Sequence, residues 1–115
     1  MLAHGAELRN SFFSVNELKA IVKDFRNSVL PFEEVTMMSF AQKVITQTHQ
    51  VNESDIDELR KNGFSDDEIL DVILVSTARS FISKTVDALG ATPDEVYQDL
   101  EPELLQLLTF GHPFP

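Results

Sequence analysis

The chain has 115 residues, of which 43% are apolar and 24% charged, with a formal net charge of −10 and no cysteine. This length fits one domain, and the composition excludes a disordered chain. The missing cysteine excludes disulfides and thiolate chemistry within these residues, and the negative charge opposes nucleic acid and anionic membranes.

The longest apolar run falls far short of the roughly 20 residues that a membrane span needs. Residues 1–9 carry neither a basic cluster nor a long apolar stretch. We therefore expect no membrane helix and no secretory signal, which makes the cytoplasm the expected location.

The N-terminal part of the chain predicts two helices. Residues 1–9 read as a short helix that Gly5 weakens. Ser14 is an expected N-cap, with Glu17 as its capping-box partner, and the helix that follows ends before Pro31. No segment shows the alternation of apolar and polar residues that a strand would have.

The middle of the chain predicts two more helices. Residues 33–47 carry a wide apolar stripe that indicates a buried helix. A cap at Asn52 or Ser54 begins a short amphipathic helix, and Gly63 fits the left-handed position that ends such a helix.

The longest predicted helix covers residues 65–89. It begins with a capping box of Ser65 and Glu68, and Gly90 ends it. Residues 69–75 are apolar on almost every side, so we expect this half to be buried on several sides.

The C-terminal part predicts two short helices. Thr92 and Pro93 indicate a helix start that leads into residues 96–100, and Pro102 begins a leucine-rich segment. Residues 110–115 cannot continue a helix, and their two phenylalanines are expected on a surface. The predicted fold is all-α, with five to seven helices in one domain.

Candidate chemical groups are scarce in this sequence. His4, His49 and His112 stand far apart without the spacing of helical metal ligands, and no glycine-rich phosphate loop is present. We therefore expect no metal and no cofactor. The acidic pairs at the predicted helix starts are explained by capping and by the helix dipole.

Polar residues interrupt the second half of the long helix. Arg79, Ser83 and Lys84 are its candidate binding residues. Two interpretations stay open: a solvent-exposed face, or the lining of a polar pocket or subunit contact.

Two stretches of the chain resemble a known family. The first is AHGAELR at residues 3–9; the second runs from FAQKV at residues 40–44 through GFSDDEI at 63–69 to DALG at 87–90. Together they are similar to the carboxymuconolactone decarboxylase and alkylhydroperoxidase D superfamily, in the C-terminal part of its peroxidase-related members. The similarity covers residues 1–92, which leaves residues 93–115 as a C-terminal helical extension and tail.

The resemblance implies a catalytic motif of which only the histidine is present. The family's peroxidases use Cys-x-x-Cys-x-x-x-His, in which one thiolate attacks the peroxide, the other resolves it as a disulfide, and the histidine serves a proton relay. His4 matches this histidine, and the second cysteine would directly precede Met1. The relay's upstream acid is missing as well, and Ser83 and Lys84 replace the family's Asn and Arg.

Two explanations of the missing cysteines stay open. The chain is either a late-started or truncated form of a longer enzyme, or a naturally short member that keeps the scaffold for another purpose. The in-frame sequence upstream of Met1 would decide between them.

The functional prediction is a degenerate, cysteine-free alkylhydroperoxidase-like protein. The resemblance associates it with antioxidant defence, without thiol peroxidase activity of its own, and no residue argues for decarboxylase activity. The alternative is a non-enzymatic oligomeric scaffold or protein-interaction module. Two-lobed members of the family carry a second helical unit that this chain lacks, so we expect a homo-oligomer, dimer or higher, with the long helix at the interface.

Overall fold

The computed structural model describes residues 2–109, with side chains from residue 3 onward, and every regular element in this range is helical. This confirms the predicted all-α class, with six α-helices. They are α1 (Leu2–Ser11), α2 (Val15–Lys23), α3 (Phe32–Thr46), α4 (Glu53–Lys61), α5 (Asp66–Ala88) and α6 (Pro102–Leu108). Three 3-10 turns lie at Phe25–Asn27, Thr48–Gln50 and Glu95–Asp99. The phenylalanines expected on a surface at the C-terminus lie outside the described residues.

The described residues form two compact units. Residues 2–29 and 86–109 form the terminal unit, and residues 30–85 form the central unit. Helix α5 begins in the central unit, and its last residues belong to the terminal unit. That the chain acts as one domain stays a prediction.

The core of the terminal unit is made by three leucines. Leu18 of α2 and Leu104 and Leu108 of α6 are almost fully buried. Apolar side chains packed around them are Leu8, Phe13, Val22, Tyr97, Leu100 and Leu105. The predicted capping box of α2 is confirmed: the Glu17 amide donates to Ser14 Oγ at 3.2 Å, and the Ser14 amide donates to Glu17 Oε2 at 2.9 Å.

The helix predicted after Thr92 and Pro93 differs in the structure. Residues 91–94 are not helical, and a 3-10 turn begins at Glu95 with Asp94 in the cap position. No side chain caps this turn. The 3-10 turn is tighter than an α-helix, but it still places Tyr97 against the leucine core. Tyr97 therefore packs there without an α-helix.

The core of the central unit joins three helices. Its buried residues are Phe40 and Val44 of α3, Leu59 of α4 and Ile69 of α5. Two predicted helix starts are confirmed. Asn52 caps α4 in a capping box with Asp55, and Ser65 and Glu68 exchange hydrogen bonds of 3.1 Å at the start of α5. Gly63 has φ +92°, the left-handed conformation expected of it.

Among residues 2–109, helix α5 is buried on one side only. Ile69 is 3% exposed, whereas Val75 is 68% and Phe81 71% exposed. The burial on several sides that the sequence predicts is therefore not supplied by the described residues. No helix among residues 2–109 is both long and apolar enough to cross a membrane.

Candidate functional site

His4 lies on the exposed side of α1 in the terminal unit. Among residues 2–109 its imidazole has no hydrogen-bond or ion-pair partner. The next residue, Gly5, points the other way and is buried against Leu108. The backbone of α1 thus holds His4 on the solvent side while its neighbour contacts the core.

A charge pair fixes the other end of α1. Arg9 donates from Nε and Nη2 to Glu101 Oε1, at 3.0 and 2.9 Å. The pKa of Glu101 is lowered, mainly because its carboxylate accepts its own backbone N–H, with Arg9 adding to the effect. Because Gly5 and Arg9 are both anchored, the helix that carries His4 is positioned by tertiary contacts rather than by helix propensity alone.

The three candidate binding residues lie on α5 in the central unit. Arg79 and Lys84 are exposed and Ser83 is half-buried. Arg79 and Ser83 are one turn apart and share a side, whereas Lys84 is about 100° further around the helix. They do not converge on a common point, and their role in a pocket stays a prediction.

A groove of about 190 Å³ lies between α3 and α4 in the central unit. Its residues are Thr36, Ser39, Phe40, Lys43, Asp55, Glu58 and Leu59. Lys43 Nζ donates to both carboxylate oxygens of Asp55, at 2.9 and 2.8 Å. Lys43 and Asp55 therefore neutralise each other, and Glu58 adds a further negative charge to the groove.

The pKa of Asp55 is lowered, chiefly by the hydrogen bond from Lys43 and then by the backbone N–H of Asn52. A carboxylate held ionised in this way is a poor general base, because its affinity for a proton is reduced. The sequence indicated the cap contact through the spacing of Asn52 and Asp55. It carried no signal for Lys43, which the fold brings in from another helix.

A second, more open groove lies between α2 and α6 in the terminal unit. Lys19, Lys23, Glu103, Gln106 and Leu107 line it. Lys19 pairs with Glu103, and this contact lowers the pKa of Glu103. The sequence gave no indication of this pair either, because its two members come from opposite ends of the chain.

Reactive groups do not assemble within the described part of the chain. Among residues 2–109 no three His, Asp or Glu side chains come together as metal ligands. No thiol exists anywhere in the 115 residues. The residues that do come together form ion pairs and caps, and on α1 the Ser11 hydroxyl donates to Glu7 Oε1 at 2.7 Å in an exposed position.

Comparison with solved structures identifies a similar fold. The similar structure is the alkylhydroperoxidase AhpD core of an uncharacterized peroxidase-related protein from Ralstonia eutropha JMP134. The two share 26% identity at a TM-score of 0.75, over 84% of this chain and 50% of that chain. This chain thus spans about half the length of that protein. No protein-family model and no curated protein matches the sequence.

Proposed function

Because the chain has an alkylhydroperoxidase D-like fold and contains no cysteine, we propose that it is a degenerate member of that superfamily without thiol peroxidase activity of its own. We further propose that it works in antioxidant defence, in the cytoplasm. The observation that carries the proposal is the pairing of this fold with a complete lack of thiols.

Reduction of a peroxide requires a group that donates an electron pair to it. A thiolate attacks one peroxide oxygen, the O–O bond breaks, and an alcohol or water leaves as a sulfenic acid forms. A second thiol then condenses with the sulfenic acid, releasing water and forming a disulfide. Histidine, serine and carboxylate groups can move the protons of these steps, but they do not provide the two-electron reduction.

His4 keeps the position of the relay histidine in this proposal. It lies on a helix that is held by the Gly5 and Arg9 contacts. Its imidazole could therefore exchange a proton with a thiol placed one turn before it. The 115 residues contain no thiol with which this histidine could exchange a proton.

The experiment is a measurement of hydroperoxide consumption by the purified chain with dithiothreitol as reductant. The expected rate equals that of buffer with dithiothreitol alone. A His4→Ala variant serves as the matched control and should give the same rate. Consumption above background that is lost in the His4→Ala variant would contradict the proposal.

The alternative function is a non-enzymatic oligomeric scaffold or interaction module. The exposed apolar side of α5 favours it, because large exposed apolar patches on soluble proteins commonly mark interaction surfaces. A homo-oligomer, dimer or higher, is part of both proposals. Light scattering tests it, and a monomer mass at all accessible concentrations would contradict it.

The two proposed functions assign different roles to three polar residues of α5, which are Arg79, Ser83 and Lys84. If they line a ligand pocket, substituting Arg79 should abolish binding of a small molecule that the wild-type protein takes up. If they flank a subunit contact, the same substitution should change association instead. The exposure of Arg79 and Lys84 favours the second role.

A further inference from the structure

The groove between α2 and α6 has a volume of about 590 Å³ and is lined by one row of side chains from each helix. Lys19 and Lys23 are four residues apart on α2, and such residues share one side of a helix. Glu103, Gln106 and Leu107 are spaced by three and four residues on α6 and share a side as well. The volume falls within the range of small-molecule sites, which is about 300–1,000 Å³.

The charge of this groove is opposite in sign to that of the whole chain. Its lining has two lysines and one glutamate, a net charge of +1, whereas the 115 residues carry −10. Elsewhere on the chain the excess of acidic side chains opposes the binding of an anion. A locally positive groove is therefore a place where an anion is favoured over a cation.

One of the two lysines already has a carboxylate partner. Lys19 pairs with Glu103, and the Lys19 side chain is only 20% exposed. The pKa of Glu103 is lowered mainly by the hydrogen bond from Lys19, and the charge of Lys23 adds a smaller effect. Lys23 and Gln106 have no side-chain hydrogen bond or ion pair among residues 2–109. One ammonium and one amide in the groove are therefore available to a ligand.

The groove also has an apolar part, which Leu107 provides. Leu107 is exposed, whereas Leu104 and Leu108 of the same helix are buried in the leucine core. A hydrocarbon chain lying against Leu107 would remove apolar surface of both partners from water, which favours binding. The groove thus combines a cationic part with an apolar part.

We propose that this groove binds a singly charged small organic anion, a carboxylate with a short hydrocarbon tail. The carboxylate accepts hydrogen bonds from the Lys23 ammonium and the Gln106 amide, and the tail lies along Leu107. Glu103 stays on Lys19. A doubly charged phosphate is disfavoured, because the net charge of the groove balances only one negative charge. The inference is independent of the antioxidant proposal, since no residue of this groove takes part in the relay of His4.

The first test follows the backbone amides in two-dimensional proton–nitrogen NMR spectra during a titration with hexanoate. The concentrations run from about 0.1 to 50 mM, a range suited to weak binding. Acetate has the same charge without the tail, and hexanol has the same tail without the charge. Hexanoate should shift amides of α2 and α6, and it should bind about tenfold more tightly than acetate and about threefold more tightly than hexanol.

Three results of this titration would overturn the proposal. The first is a hexanoate titration without shifts on α2 and α6. The second is equal binding of hexanol, which would show that the charge has no part in recognition. The third is tighter binding of inorganic phosphate than of hexanoate, which would refute the preference for a singly charged organic anion.

The second test compares two lysines that occupy the same place in their helices. Lys23 lies in the last turn of α2 and Lys61 in the last turn of α4, and both are exposed and make no ion pair among residues 2–109. Lys23→Gln should weaken hexanoate binding about three- to fivefold, the range of an exposed ion pair. Lys61→Gln makes the same change of net charge and should leave binding unchanged. Equal effects of the two variants would assign the binding to overall charge and overturn the site.

The role of the apolar part is tested by Leu107→Ser. This variant should reduce the affinity for hexanoate about fivefold and leave the affinity for acetate unchanged, because only the tail contacts residue 107. Circular dichroism confirms that each variant is folded. A Leu107→Ser protein that binds hexanoate as tightly as wild type would overturn the placement of the tail in this groove.

Discussion

Gly5 of α1 packs directly against the side chain of Leu108 of α6, and an added Cβ atom would overlap that side chain. Leu108 is 2% exposed within the leucine core, so it has little room to move. The glycine is therefore required by close packing, in spite of its poor helix propensity. The contact fixes the helix on which His4, the proposed relay histidine, is carried.

Replacing this glycine should destabilise the terminal unit. Gly5→Ala gains about 0.5–1 kcal/mol in helix propensity. Overpacking against Leu108 costs about 1–3 kcal/mol, so the net loss should be on the order of 1 kcal/mol. Urea denaturation followed by circular dichroism would show a lower midpoint.

The control for this variant is Asn10→Ala, an exposed position on the same helix. It should change the free energy of unfolding by no more than about 0.5 kcal/mol. If Gly5→Ala were more stable than wild type by the full gain in helix propensity, the close packing against Leu108 would be refuted.

The Lys43–Asp55 pair should make part of the stability depend on pH. The folded pKa of Asp55 is lowered from 3.8, so the pair stabilises the fold above pH 3.8 and loses its effect as the pH falls through the lowered value. Asp55→Asn should cost about 0.5–1 kcal/mol at pH 7 and less at pH 3. The measurement is urea denaturation of both proteins at the two pH values.

Glu53→Gln provides the matched control for Asp55→Asn. It removes another first-turn carboxylate of α4, one that makes no ion pair among residues 2–109. Its difference from wild type should change less between the two pH values than that of Asp55→Asn, because Glu53 has no cationic partner among residues 2–109. A cost of Asp55→Asn that does not shrink on acidification would count against the pair.

The capping box of α5 should contribute measurably to stability. Ser65→Ala removes the hydroxyl that accepts the Glu68 amide, and we expect a loss of about 1 kcal/mol. Thr92→Ala tests a cap that the sequence predicted and the structure does not use, so it should be neutral within about 0.5 kcal/mol. Thermal unfolding compares the two, and equal effects would contradict the assigned caps.

Much of the fold was predictable because its helices carry local signals. Caps at Ser14 and Ser65 and a left-handed Gly63 depend on contacts within a few residues, and the sequence displays that spacing directly. The turn after Pro93 was less predictable. The 3-10 turn places Tyr97 against a core that is built largely from other segments of the chain, and a local pattern does not show such contacts.

The candidate site was predictable only where a residue matched a known pattern. His4 was found by its place in a family motif, and its exposure on α1 is what the structure adds. The pairing of Lys43 with Asp55 and of Lys19 with Glu103 depends on tertiary proximity, for which single residues give no signal. Arg79, Ser83 and Lys84 stood out by polarity alone, and polarity does not distinguish a pocket from an exposed face.

We propose that this chain has an alkylhydroperoxidase D-like fold and that the absence of cysteine accounts for its expected lack of peroxidase activity. The most direct test extends the N-terminus by Cys-x-x-Cys placed immediately before Met1 and measures hydroperoxide consumption with dithiothreitol. We expect consumption above the background rate in the extended chain, and a rate reduced at least tenfold by His4→Ala, since a proton relay contributes about 100-fold or more. No gain over the unextended chain would show that the fold does not support peroxidase chemistry, and a gain that His4→Ala leaves unchanged would refute the relay role of His4.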